Sequence, residues 1–113
     1  MAKTLFEKII DHEIPATFVY EDPLCVVIRD INPQAPFHVL VIPRKPIARL
    51  SDATLNDQGL LGHLLLVSAK VAADAGYAGA FRLNINNGAE AGQSVFHIHV
   101  HVLGGRPFAW PPG

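Results

Sequence analysis

In "QSVFHIHVHVLGG", the run from Gln93 to Gly105, His97, His99 and His101 alternate with apolar residues. The chain carries only six histidines in 113 residues, and roughly one shuffled chain in sixty would show this spacing. Imidazole titrates near neutrality, so a row of three can relay protons, ligate a metal or, uncharged, attack an electrophile. On a strand, alternate side chains share a face. The three imidazoles are therefore expected along one accessible surface, with Ile98, Val100 and Val102 on the opposite, core face. His38 in "FHVLVIP" joins them if its strand pairs nearby. His12 and His63, each isolated on a helix, read as ordinary surface or hydrogen-bonded residues.

The neighbours narrow the chemistry. The glycines of "NNGAEAGQS", just before the row, let the backbone approach a ligand closely, and successive amides can face an anion. Ser94 adds a hydroxyl. Asp30, at the end of an apolar strand and before "INPQAP", is placed as an acid that accepts from two ribose hydroxyls. Taken singly, a Gly-rich loop is a turn and Asp before Asn-Pro is a turn former. Taken together they supply a phosphate cradle, a sugar hook and a row of imidazoles.

These residues need a frame. "TLFEKIIDHE" begins with Thr4 and Glu7 at capping-box spacing, puts Leu5, Phe6, Ile9 and Ile10 on one helical face, and is closed by Pro15. "TFVYE" and "CVVIRDI" read as strands joined by the turn "EDP"; "FHVLVIP", "FRLNIN" and "VFHIHVHVL" are three more. "RKPIARLSDAT" is an irregular connection. A long helix is expected from about Thr54 to Ala75, with Leu60, Leu61, Leu64, Val67, Val71 and Ala72 on its buried stripe and Gly76 at its C-terminal stop. The tail "GGRPFAWPPG" is too rich in Gly and Pro for regular structure. Five strands and two helices, only one of them in a long connection, give an α+β fold with a five-stranded, mainly antiparallel sheet.

Composition fits a single domain spanning residues 1–113: half the residues are apolar, 17 % are charged and the net charge is −1. With no run of like charges, bulk electrostatic binding to nucleic acid or acidic lipid is not expected. One cysteine, Cys25, excludes an internal disulfide and a multi-cysteine zinc site. The N-terminal run does not resemble a signal peptide and no apolar stretch approaches a membrane span. A soluble protein of a reducing compartment, the cytoplasm, is the expectation.

"HIHVHVL" resembles the His-φ-His-φ-His-φ-φ signature of the histidine-triad (HIT) superfamily, φ being apolar. "RDINPQAPFHVLVIP", "GQSVFHIHVHVLGGR" and the terminal "WPPG" resemble its histidine-triad nucleotide-binding (Hint) branch, in order and spacing, from about Thr4 to Gly113. The resemblance implies a HIT-like fold whose sheet extends across a homodimer. It also implies a purine nucleoside phosphoramidase that needs no metal or cofactor and takes AMP- or GMP-type phosphoramidates or acyl-adenylates. On this alignment His99 is the nucleophile that becomes nucleotidylated. His101 and His38 flank the phosphate, and the backbone carbonyl of His97 accepts from the nucleophile's Nδ1–H. Asn86, Gly92, Gln93 and Ser94 match phosphate-loop positions, with Val95 beside them. Asp30 matches the ribose acid, next to Ile31, and Leu5, Phe6, Ile9 and Ile28 the slot for the base. Trp110 matches a tail residue that approaches the partner's site in the family's dimers.

The chain departs from the family at Pro46, where a histidine is common, and at Phe37, where a threonine is. Both bear on substrate preference. The residues that bind zinc in some relatives have no full counterpart here. Three other readings stay open at this point: a metal-dependent hydrolase using HxH and His38, a nucleotide-binding adaptor with residual catalysis, and a dinucleoside polyphosphate hydrolase.

Overall fold

Thr4 starts the first helix as its spacing predicts: its hydroxyl accepts from the Glu7 amide, and the Glu7 carboxylate accepts from the Thr4 amide. In the computed structural model, which describes residues 2–113, α1 spans Leu5–Ile10 and buries Phe6 and Ile9. It ends well before Pro15. The Asp11 amide caps the last turn and His12 takes a left-handed φ of 60°, so the backbone has left the helix before proline acts.

The strands are β1 (Phe18–Glu21), β2 (Cys25–Arg29), β3 (Phe37–Pro43), β4 (Phe81–Asn84) and β5 (Val100–Gly104), and α2 is Gln58–Asp74. They form one sheet in the order β1-β2-β3-β5-β4, antiparallel throughout, as the short β1–β2 and β2–β3 connections require for those two pairs. β3 is buried from end to end because both faces of the sheet are covered. On one face Val27, Val39, Val41, Val100 and Val102 pack with Leu64, Val67, Val71 and Ala72 of α2. On the other, Val26, Ile28, Leu40 and Ile42 pack with Phe6 and Ile9 of α1. A bulge in β1 between Phe18 and Tyr20 turns Phe18 to the α1 side and Tyr20 to the α2 side. None of the described helices is long and apolar enough to cross a membrane.

The strands β2 and β4 each end two residues short of the sequence reading, and two further boundaries differ from it by four residues or more. A 3₁₀ turn at Leu55–Asp57 precedes α2, which begins at Gln58; Leu60 and Leu61 are only partly buried, and Ser68 takes a core position by donating its hydroxyl to the Leu64 carbonyl at 2.7 Å. Gly76, at φ 95°, stops the helix as expected. The larger difference is in β5, which begins at Val100 and not at Val95. Its ladder with β3 runs to the Val41–Val100 pair. Pro43, two residues further along β3, has no amide proton to continue it. The Ile98 amide turns instead to the Ile47 carbonyl at 2.8 Å.

Candidate active site at the histidine row

His97 and His99 therefore lie on the irregular segment leading into β5, and only His101 is on a strand. Alternation nonetheless survives: Ile98, Val100 and Val102 all enter the α2-side core. What changes is exposure. The row is not an open surface, since His97 is 0 %, His99 7 % and His38 6 % exposed, and His101 is half-buried. Phe6 of α1 covers it, its ring meeting His99 edge-on at 4.9 Å and His97 at 6.0 Å.

Buried imidazoles need partners, and partners of fixed polarity assign the protons. His97 Nε2 donates to the Pro43 carbonyl at 2.7 Å, and its Nδ1, 3.3 Å from Thr4 Oγ1, accepts from that hydroxyl. His99 Nδ1 donates to the His97 carbonyl at 2.8 Å, leaving the Nε2 lone pair free. His38 Nδ1 accepts from the Gln34 amide at 3.0 Å, so its proton is on Nε2, which donates to His101 Nδ1 at 2.9 Å. His101 is thereby left with its proton on Nε2. Asp30 Oδ2 stands 3.4 Å from His38 Nε2.

Burial lowers the pKa of all four imidazoles below the ordinary histidine value, because the charged form loses its hydration. His101 is lowered to about 4, first by burial and then by His99 and His38 beside it, with Asp30 opposing. Asp30 likewise partly offsets burial at His38 and His99. The site thus combines a neutral nucleophilic nitrogen on His99 with a neutral N–H donor on His101, ring centroids 5.0 Å apart.

The loop ahead of the row is held by Gln93, which is buried. Its Oε1 accepts from the Gly88 amide at 2.8 Å, and its Nε2 donates to the carbonyls of Ala48 and Val95 at 2.7 and 3.1 Å. The Gln93 side chain is therefore spent on shaping the loop. Gly92, at φ 97°, turns the chain beside Asn86, whose Nδ2 would lie 3.5 Å from a Cβ added there. Ser94 is exposed at the end of this turn.

Of the residues expected around a base, Phe6, Ile9 and Ile28 are packed in the α1-side core with Val95 against it, while Leu5 and Ile31 are exposed. Asp30 and Ile31 line a shallow cleft of about 490 Å³ with Pro15, Ala16, Thr17 and Arg29. Trp110 is 82 % exposed and finds little cover within its own chain. An almost wholly apolar hollow of about 230 Å³, walled by Leu50, Leu61, Leu65 and Ile85, reaches His99 from the α2 side.

Two partners escaped the sequence reading, Thr4 on His97 and Gln34 on His38, as did the Arg82–Phe108–Arg106 group that lines a cleft with His101. A capping threonine and a loop amide carry no motif, and the tail has no periodicity. His63 is hydrogen-bonded, within the ordinary reading the sequence suggests. It meets Asp22 at 2.7 Å, and that carboxylate also accepts from Tyr20 and the Leu24 and Cys25 amides. Burial raises the Asp22 pKa, but His63 and these donors outweigh it and hold the carboxyl well below its usual range. Cys25 behind it is pushed up to about 12 by burial.

Comparison with known proteins matches the HIT domain over residues 11–108. An uncharacterized HIT-like protein of Synechocystis sp. is 64 % identical over 110 residues, covering 97 % of this chain and 96 % of that protein. A Zea mays protein named a 14 kDa zinc-binding protein is 49 % identical over 97 % of this chain and 88 % of its own. The crystal structure of a HIT family hydrolase from Legionella pneumophila superposes with a TM-score of 0.96 at 46 % identity, covering 98 % of this chain and all of that one.

Proposed function

The chain belongs to the HIT domain family and has the fold of a HIT family hydrolase, and on that premise we propose that it is a purine nucleoside phosphoramidase. It cleaves the P–N bond of adenosine or guanosine 5′-phosphoramidates, or the corresponding bond of acyl-adenylates, through a nucleotidylated His99. One observation carries this reading: the 2.8 Å bond from His99 Nδ1 to the His97 carbonyl fixes the tautomer whose Nε2 lone pair is free.

The steps follow from the proton positions. His99 Nε2 forms a bond to phosphorus as the P–N bond to the leaving amine breaks. The N–H of His101, Ser94 and the loop amides around Gly92 stabilise charge on the non-bridging oxygens. The departing amine takes one proton, relayed through Ser94 or His101. Water then attacks the phosphorus of the adduct, returns a proton to the relay and restores neutral His99, releasing nucleoside monophosphate. Asp30 holds the ribose hydroxyls, and Leu5, Ile31 and the edge of the α1-side cluster cover the base. His99→Asn is expected to abolish turnover and to prevent ³²P label from an adenosine phosphoramidate remaining on the protein. Full activity in that variant overturns the reading.

The zinc-binding name of the maize relative invites a metal reading, and Asp30, His38 and His101 do offer atoms within 4.8 Å of one another. Their donor set does not fit an ion. His38 Nδ1 already accepts from Gln34, and His101 Nδ1 from His38, so neither ring offers a free lone pair to a shared centre. No step is assigned to a metal. Turnover surviving exhaustive chelation is the expected result.

The homodimer belongs to this proposal. β4 is an edge strand, so its outer backbone groups are available to a second β4, which would extend the sheet. Leu65, Leu66, Ile85 and Phe96 are exposed. We place the protein in the cytoplasm.

A further inference from the structure

Beyond His101, on the side His99 does not occupy, lies a cleft of about 270 Å³ lined by His38, His101, Asn84, Arg82, Arg106 and Phe108 among others. Arg82 and Asn84 alternate with Phe81 and Leu83 of the α2-side core, so they share the sheet face of the histidines. The tail folds back over this face. Arg106 Nε donates to the Gln34 carbonyl at 3.0 Å, and its Nη1 to the Pro107 carbonyl at 3.0 Å. The Phe108 ring carries both cations: the Arg106 Cζ lies 4.3 Å from its centroid and the Arg82 Cζ 5.2 Å.

Two guanidinium groups gathered on one ring repel each other, and the surroundings do not neutralise them. Among the described residues, neither is in an ion pair, and no acid lines this cleft. Asp30 stands outside this lining: its Oδ1 accepts from the Asn32 amide at 2.8 Å and its Oδ2 faces His38 Nε2 at 3.4 Å. The second terminal nitrogen of Arg106 and the whole Arg82 fork keep their N–H groups for a ligand, and such forks match a carboxylate or phosphate.

We propose that Arg82 and Arg106, set on Phe108, form an anion subsite for the leaving group, so the preferred substrates carry a carboxylate or phosphate beyond the scissile bond. The inference rests on the phosphoramidase reading and deepens it. In-line displacement puts the departing atom opposite His99 Nε2, toward the side of His101 where this cleft opens. The nucleoside is then left to the Asp30 and α1 side. Binding energy from the remote anion holds the reacting bond in line, which adds to kcat/KM without touching the nucleophile.

The test compares the adenosine 5′-phosphoramidates of ethylamine and of alanine, which differ by one carboxylate, with a dinucleoside polyphosphate as the phosphate-bearing arm. In the wild type, kcat/KM for the alanine compound is expected to exceed that for ethylamine by about tenfold or more. Arg82→Gln and Arg106→Gln should each cut that ratio, and the double variant should bring it near unity while the ethylamine rate changes little. If the polyphosphate rather than alanine loses its advantage in the variants, the anion is a phosphate; if both do, the subsite takes either. A ratio unchanged in the double variant, with all substrates turned over, overturns the subsite alone. No turnover of any substrate by the wild type overturns the phosphoramidase reading and the subsite with it.

Discussion

Thr4 Oγ1 lies 3.3 Å from Nδ1 of His97, joining the N-cap of α1 to the first histidine of the row. The hydroxyl works in two directions, accepting from the Glu7 amide and donating to the imidazole. One threonine thus fixes both the helix that covers the site and the ring of His97, whose carbonyl accepts from His99. Thr4→Val, which keeps the shape, should destabilise the protein by about 1–3 kcal/mol, combining the lost cap with a buried imidazole nitrogen left unpaired. Thr4→Ser should recover most of it. Urea unfolding decides, and a Thr4→Val protein as stable as wild type would contradict the double role.

The pH dependence has a definite sign. The proposed attack needs a neutral His99, and burial lowers its pKa. Activity should therefore persist below the ordinary histidine pKa of about 6.5, with the acid limb of kcat/KM falling lower. Removing the Asp30 charge, which opposes burial at His99, should move that limb further down while raising KM. Stability follows the same logic. The unfolded chain binds more protons than the fold between the lowered values and about 6.5, so the unfolding free energy should decrease as pH drops through that window. A pH–rate profile and melting curves from pH 8 to pH 4 measure both. An acid limb centred at or above 6.5 would count against a buried neutral nucleophile.

Gln93 holds the loop ahead of the histidine row from inside. Gln93→Leu leaves the Gly88 amide and the Ala48 and Val95 carbonyls without their partner. A cost of about 2–4 kcal/mol is expected at roughly 1 kcal/mol or more per group. Turnover should fall further than stability explains, because Gly92 and Ser94 lose their placement. Hydrogen exchange of the Gly88 amide gives a direct reading: unchanged protection in the variant would show that the loop is held by something else.

The alternation of His97, His99 and His101 was enough to place Ile98, Val100 and Val102 in the core, because period two survives even where the ladder does not. It misleads on depth, since the accessible surface it points to is a buried row. The burial of His97 depends on Pro43 ending the ladder with a carbonyl free to take its Nε2–H, and on Phe6 arriving from the other end of the chain. Proton placement on His101 was also illegible: its tautomer follows from the Gln34 amide by way of His38, a loop group that no spacing rule marks. The capping box of α1 could be read because its partners are three residues apart. Arg82, Arg106 and Phe108 could not, since only the folded tail brings them together.

The apolar hollow behind His99 gives the proposed dimer a chemical consequence. Leu65 and Leu66 on α2, Ile85 after β4 and Phe96 before the row are exposed, and Leu65 and Ile85 help wall the hollow that reaches His99. Pairing of two β4 edges would bring a second copy toward this face, burying these side chains and drying the nucleophile from behind. Leu66→Glu, 73 % exposed in the single chain, should leave the fold of that chain intact and shift the protein from dimer to monomer. Because water would then reach the hollow, the monomer should also lose most of its kcat. Sedimentation across a concentration series, with turnover at each point, tests both. A wild type that sediments as a fully active monomer at micromolar concentration would remove the dimer from the proposal.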